Sequence, residues 1–166
     1  MLAGVAAQVI ELMRPIFEYL TGDFTNLSLE ERAEKARVIR TLAGPMATGI
    51  TFFPIGPVDA VGITFVQIVM VRAIGNVYSQ ENCRITGGDP AQWISSALAS
   101  LVNLKSLKEI VTVMGAGWLG QQVCLLILRV ITWYIPGWMV GFYVGAWTAM
   151  VGHGAEKHFR KSLNVP

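Results

Sequence analysis

The run Pro136–Gly152, "PGWMVGFYVGAWTAMVG", carries no charge and sets Gly137, Gly141, Gly145 and Ala149 four residues apart. Each glycine inside a water-exposed helix costs about 1 kcal/mol relative to alanine. A helix that accepts three of them in register must gain from their missing side chains. Four-residue steps drift by only about 40° around a helix of 3.6 residues per turn, so the four small residues share a face. That face lets a second backbone approach closely, the kind of contact that joins helices in lipid, where the hydrophobic effect does not push them together. The opposite side carries Trp138, Phe142, Tyr143 and Trp147, which on this reading face lipid or a neighbouring subunit. A wholly buried helix at the centre of a soluble bundle is the other environment that tolerates the pattern.

Composition favours the first environment. Of 166 residues, 53% are hydrophobic and 14% charged, with a mean hydropathy of +0.50; soluble domains carry about 25% charge. The length suits a single domain. A net charge of +2 gives no case for nucleic acid. The basic residues instead flank apolar runs: Arg37 and Arg40 before the first, Arg72 after it, Lys105 and Lys108 before the second, and Lys157, Arg160 and Lys161 near the end. Such flanks suit anionic head groups and a cytoplasmic face. Cys83 lies in a polar stretch and Cys124 in an apolar one, so no disulfide framework is expected and a reducing, cytoplasm-facing setting fits. Glu11 and Arg14 interrupt the N-terminal apolar stretch, which does not read as a secretory signal.

The chain divides into helices and breaks. Residues 1–20 predict an amphipathic helix with Val5, Val9, Leu12, Ile16 and Leu20 on one face and a kink at Pro15. Packing on its own domain is the ordinary use of such a face. Ser28 and Glu31 form a capping box, so a charged helix starts near Leu29 and is expected to end around Gly44-Pro45. Residues 42–78 form a first apolar hairpin, with Asp59 the sole charge before Arg72. Pro54, Gly56 and Pro57 break it, and Asp59 is placed to cap a helix from Ala60 to about Tyr78. Some thirty apolar residues are too few for two full spans of about 20 each. Residues 89–109 predict a connecting helix capped by Asp89, with Pro90 first and Gln92 third, and a core stripe of Trp93, Leu98, Leu101, Leu104 and Leu107. Residues 110–160 form a second apolar hairpin, turning at Pro136 and fraying in its tail, with Arg129 the only charge before His153. The tips "FFPIGP" and "WYIPGW" share two aromatics followed by proline and glycine, as a duplicated hairpin would.

Trp133, Tyr134 and Trp138 are amphipathic aromatics that favour head-group depth. Arg129 reaches the same level by snorkelling, or it pairs with Asp59 as the second of two intramembrane charges.

The stretch "FPIGPVDAVGITFVQIVMVRAIGNVY" resembles the proline-and-aspartate turn and following helix of the domain-of-unknown-function 697 family, and "YIPGWMVGFYVGAWTAMVGHGAEKHF" resembles its glycine-rich second hairpin. The resemblance covers roughly residues 42–160. It implies an α-helical, membrane-associated domain, often joined to or encoded with small GTPases, and it carries over no catalytic residue. No phosphate-binding loop is present here, so a GTPase partner would be a separate protein.

His153 and Glu156 share a helix face but His158 points elsewhere, so a basic helix end is the ordinary reading and no metal site is assigned. Gly115, Gly117 and Gly120 match a dinucleotide spacing without a βαβ context or a following acidic residue. Aromatic stacking for a pigment or quinone is weaker than plain packing as an account of the Trp and Tyr residues. No cofactor and no catalytic residue is assigned. The expectation is therefore an all-α bundle with two apolar helical hairpins, a non-enzymatic scaffold on a lipid membrane that assembles with itself or with a GTPase. Its expected place is a bacterial inner (cytoplasmic) membrane, with polar helices 29–43 and 90–109 facing the cytoplasm. A soluble helical binding module buried in a homo-oligomer and a transport or channel subunit using Asp59 and Arg129 stay open as alternatives.

Overall fold

The computed structural model describes residues 10–51, 57–80, 83–85, 92 and 137–163. All regular structure among them is helical. Residues 10–13 are helical, Arg14–Ile16 form a 3-10 turn at Pro15, and α1 follows over Phe17–Thr21. Helix α2 spans Leu29–Thr51, α3 spans Pro57–Val77 and α4 spans Gly137–Leu163.

Helix α3 forms the centre. Its sequence from Gly62 to Val77 is apolar on every side, and a helix of that kind is stable only when enclosed. Within that stretch only Ile68 and Arg72 are less than buried; Phe65, Val66, Val69, Met70, Ala73, Ile74 and Val77 have almost no exposure. Helices α2 and α4 cover it. Ile50 packs near Gly62 and Arg32 reaches Val77, so α2 and α3 run antiparallel. Gln67 meets Thr148, and Phe159 packs near Gly75, so α4 runs parallel to α3 and antiparallel to α2. The α2–α4 interface is the most extensive of the three.

The predicted start of α2 holds in detail. The Ser28 amide donates to Glu31 Oε2 at 2.8 Å and the Glu31 amide donates to Ser28 Oγ at 3.3 Å, the two halves of a capping box. Its predicted end does not hold, since α2 runs through Gly44 and Pro45 to Thr51. A proline inside a helix costs about 3 kcal/mol. Here its ring is exposed, while Ala36, Ile39, Ala43, Met46, Ala47 and Ile50 continue one buried face across it. The first hairpin is thus longer than 42–78, because the charged helix is its first arm.

Two further boundaries shift. Helix α3 begins at Pro57, where fixed φ and the missing amide suit a first helical position. Asp59 is therefore its third residue instead of its cap. Helix α4 continues through "HGAEKHFRKSL" to Leu163, three residues past the expected end of the second hairpin. The N-terminal helix gives way to a 3-10 turn at Pro15, where a kink was expected, and Met13 is buried where Leu12 was expected, with Leu12 exposed. The 3-10 turn changes the phase of the face there. Among the described residues no helix is long and apolar enough to cross a membrane.

Candidate functional site

Helix α4 presents two faces with different chemistry. At about 100° per residue, Gly141, Val144, Gly145, Thr148, Gly152, Ala155, Glu156 and Phe159 point inward, and all are buried except the half-buried Gly145. This seam explains most of the glycines. Thr48 Oγ of α2 donates to the Gly141 carbonyl at 2.9 Å and lies 3.1 Å from the Gly44 carbonyl. A Cβ on Gly145 would collide with Thr48 Oγ1 and sit 3.2 Å from the Gly44 carbonyl. Two backbones therefore cross at Gly44–Thr48 and Gly141–Gly145, and the close approach lets a side chain of one helix bond the main chain of the other.

The small-residue ladder does not follow α4 to its end. Its 40° drift carries Ala149 to the half-buried margin, and Gly152 takes the inward place. A Cβ there would meet Arg40 Cγ at 2.5 Å and Met70 Sδ at 2.9 Å. The phase of the helix was the missed signal, because Gly145 and Gly152, seven apart, nearly eclipse.

Behind Gly152 lies a polar cluster that the sequence reading assigned to lipid head groups or to a helix end. The Arg40 guanidinium sits 3.0 Å from Glu156 and 2.9 Å from His153 Nδ1. Arg40 is turned inward because Glu156, on the buried side of α4, needs a counter-charge. Tyr78 is fully buried beside them; burial, then the Glu156 carboxylate, pushes its hydroxyl above the ordinary range. Of the three residues weighed as metal ligands, Glu156 and His153 are thus engaged by Arg40, and His158 packs edge-on against Phe159.

Arg32 was also missed. It is 7% exposed and donates to the carbonyls of Leu27 (2.9 Å), Thr25 (2.9 Å) and Val77 (3.0 Å) and to Ser79 Oγ (2.6 Å). Helix α3 has no basic residue in its last turn. Arg32 supplies the cation from a neighbouring helix, where it meets the negative end of the α3 dipole. The same end is closed by a Schellman pair, Gln80 amide to Gly75 carbonyl and Ser79 amide to Asn76 carbonyl, with Ser79 at φ 58°. Asn76 in turn caps α1, its Nδ2 donating to the carbonyls of Tyr19 (2.9 Å) and Gly22 (3.0 Å).

The outward arc of α4 holds Met139, Phe142, Ala146 and Met150 in its first half, and His153, Lys157, Arg160 and Lys161 in its second, all exposed. Phe142 is 77% exposed. Tyr143 and Trp147, expected beside it, are half-buried against one another with ring centres 6.1 Å apart.

The remaining predicted site residues fall wholly or partly outside the described residues. Gly137 and Trp138 open α4, Pro57 opens α3 and Asp59 follows in its first turn; the side chains of these four lie outside the described set. So do Pro54, Gly56, Arg129, Trp133, Tyr134 and Pro136 entirely, together with Cys124, the Gly115–Gly120 motif, and the 89–109 helix apart from Gln92.

The seam, the buried caps and the polar cluster all fall within one matched region. A model of a domain of unknown function, DUF697, matches residues 19–164. The chain belongs to the DUF697 family. The match begins within α1 and ends just beyond α4, so the three-helix body lies inside the family domain. No curated protein and no solved structure matches the chain.

Proposed function

We propose that this DUF697 chain is a non-enzymatic, membrane-associated structural module. Its three-helix body presents the outer face of α4, and its apolar segments hold an assembly at a lipid surface. The observation that carries this reading is the exposed arc of α4, where Phe142, Met139 and Met150 stand in water at 77%, 48% and 58% exposure on a chain that is 53% hydrophobic. Large contiguous apolar exposure marks an interaction surface. Among the described residues no helix is long and apolar enough to cross a bilayer. The cytoplasmic face of a bacterial inner membrane fits the basic flanks and unpaired cysteines. A separate GTPase is the protein partner that the family resemblance suggests.

Fractionation of cells that express the full chain tests the proposal. The protein is expected in the membrane pellet, partly resistant to a carbonate wash and released by detergent. Recovery in the supernatant at moderate salt, with no binding to vesicles, would sink it. The same exposed arc supports one second reading, a homo-oligomer in which α4 arcs cover each other. Sedimentation of the detergent-free protein separates the two, since that reading requires a defined oligomer that ignores lipid.

A further inference from the structure

We infer that the outward arc of α4 is a tilted docking face for anionic phospholipid, its apolar half seated in the acyl region of one leaflet and its lysines at the head groups. This deepens the membrane reading above and rests on it. Met139, Phe142, Ala146, Met150, Lys157 and Lys161 fall within an arc of about 120° at 100° per residue, and all six are exposed. Along that arc the chemistry changes once, from apolar to basic. From Met139 to Met150 the helix rises about 17 Å at 1.5 Å per residue, close to the roughly 15 Å depth of half a hydrocarbon core. Lys157 and Lys161 follow further along the same arc, where long side chains reach phosphate oxygens as their stems lie along apolar surface.

Charge on this helix is one-sided. Its single acidic residue, Glu156, faces inward onto Arg40, so nothing acidic on α4 offsets Lys157, Arg160 and Lys161. A second copy paired antiparallel about a two-fold axis would set these lysines against the partner's apolar half, with no counter-charge on the arc. An anionic leaflet neutralises them instead.

The test uses the full chain diluted from detergent onto vesicles of phosphatidylcholine, alone or mixed with phosphatidylglycerol, and scored by flotation. Two double variants change only exposed positions: Lys157→Gln with Lys161→Gln, and Phe142→Ser with Met150→Ser. Circular dichroism confirms that each keeps its helices. The lysine pair is expected to lower affinity for the anionic vesicles about 25-fold, from roughly fivefold per lysine, and to leave phosphatidylcholine binding unchanged. The apolar pair is expected to weaken binding to both vesicles about tenfold or more. If wild type floats and both variants float equally well, the docking face is elsewhere and this inference fails, while the membrane reading stands. If wild type floats with neither vesicle, both fail. If the apolar pair changes the sedimenting mass instead of the flotation, the arc holds a second copy and the lipid assignment is overturned.

Discussion

At the crossing of α2 and α4, Thr48 Oγ bonds a main-chain carbonyl of the opposite helix, and Gly145 leaves the room for it. A methyl at position 145 meets a β-branched side chain and a carbonyl, neither of which can swing away. Gly145→Ala is expected to destabilise by about 1–3 kcal/mol, the usual cost of overpacking. Thr48→Val keeps the shape and removes the hydroxyl, for about 1 kcal/mol. Because both act on one contact, the double variant should lose less than the sum; additive losses in urea titrations would show that the contact is not shared. Arg32 makes a sharper case. Arg32→Ala leaves the carbonyls of Val77, Thr25 and Leu27 without their donor, and a loss of about 2–4 kcal/mol is expected. Arg32→Lys keeps the charge but not the planar fork, and should recover less than half of it. Recovery in full would mean that charge alone serves. Ser79 belongs to the same joint. Its left-handed φ of 58° favours glycine, yet its hydroxyl accepts from Arg32, so Ser79→Gly should come out close to neutral in the same titrations, strain relief against a lost bond.

The start of α2 carries a pH dependence with a definite sign. The Ser28 amide, then the Ser28 side chain, holds the Glu31 carboxyl below its usual 4.5. A depressed carboxyl binds its proton less readily in the folded state, so its stabilisation is present above about pH 4.5 and fades as pH falls through the folded value. Glu31→Gln removes that titration. The stability gap between wild type and Glu31→Gln should therefore narrow on acidification; a gap that widens in acid, followed by circular dichroism, would contradict the capping role. This element was legible because a cap is local: Ser28 and Glu31, two residues between them, state it in one dimension. The break in regular α-helix at Pro15 was legible for the same reason. The passage of α2 through Pro45 was not, because local propensity says stop, and only the buried face from Ala36 to Ile50 outweighs it. Likewise the glycine ladder announced a close helix crossing but not its partner. Gly44 and Thr48 lie more than ninety residues away, and nothing in the spacing of Gly141 and Gly145 identifies them. The inward places of Arg32, Arg40 and Glu156 were not legible for a similar reason: burial of a charge depends on a counterpart that sequence distance hides.

For the molecule as a whole, the junction after α3 gathers three elements at one cysteine. Cys83 lies against Gly75 of α3 and is partly buried, near Phe159 of α4, while the Ile85 amide donates to the Leu20 carbonyl of α1 at 3.0 Å. Burial pushes the Cys83 thiol up, with Arg72 opposing. The thiolate is the reactive form, so alkylation near neutral pH is expected to be slow in the native state and fast once the junction opens. If the three-helix body opens as one unit, a variant that weakens a distant joint must speed labelling of this thiol by the same free energy it removes, tenfold for every 1.4 kcal/mol. Gly145→Ala, at the α2–α4 crossing, is the test, on a Cys124→Ser background so that one thiol reports. A 2 kcal/mol loss by urea titration should appear as about a 30-fold faster reaction at Cys83. Labelling that ignores Gly145→Ala but responds to Arg32→Ala would mean that the α3 end opens alone, and that the body is held by two independent joints instead of one.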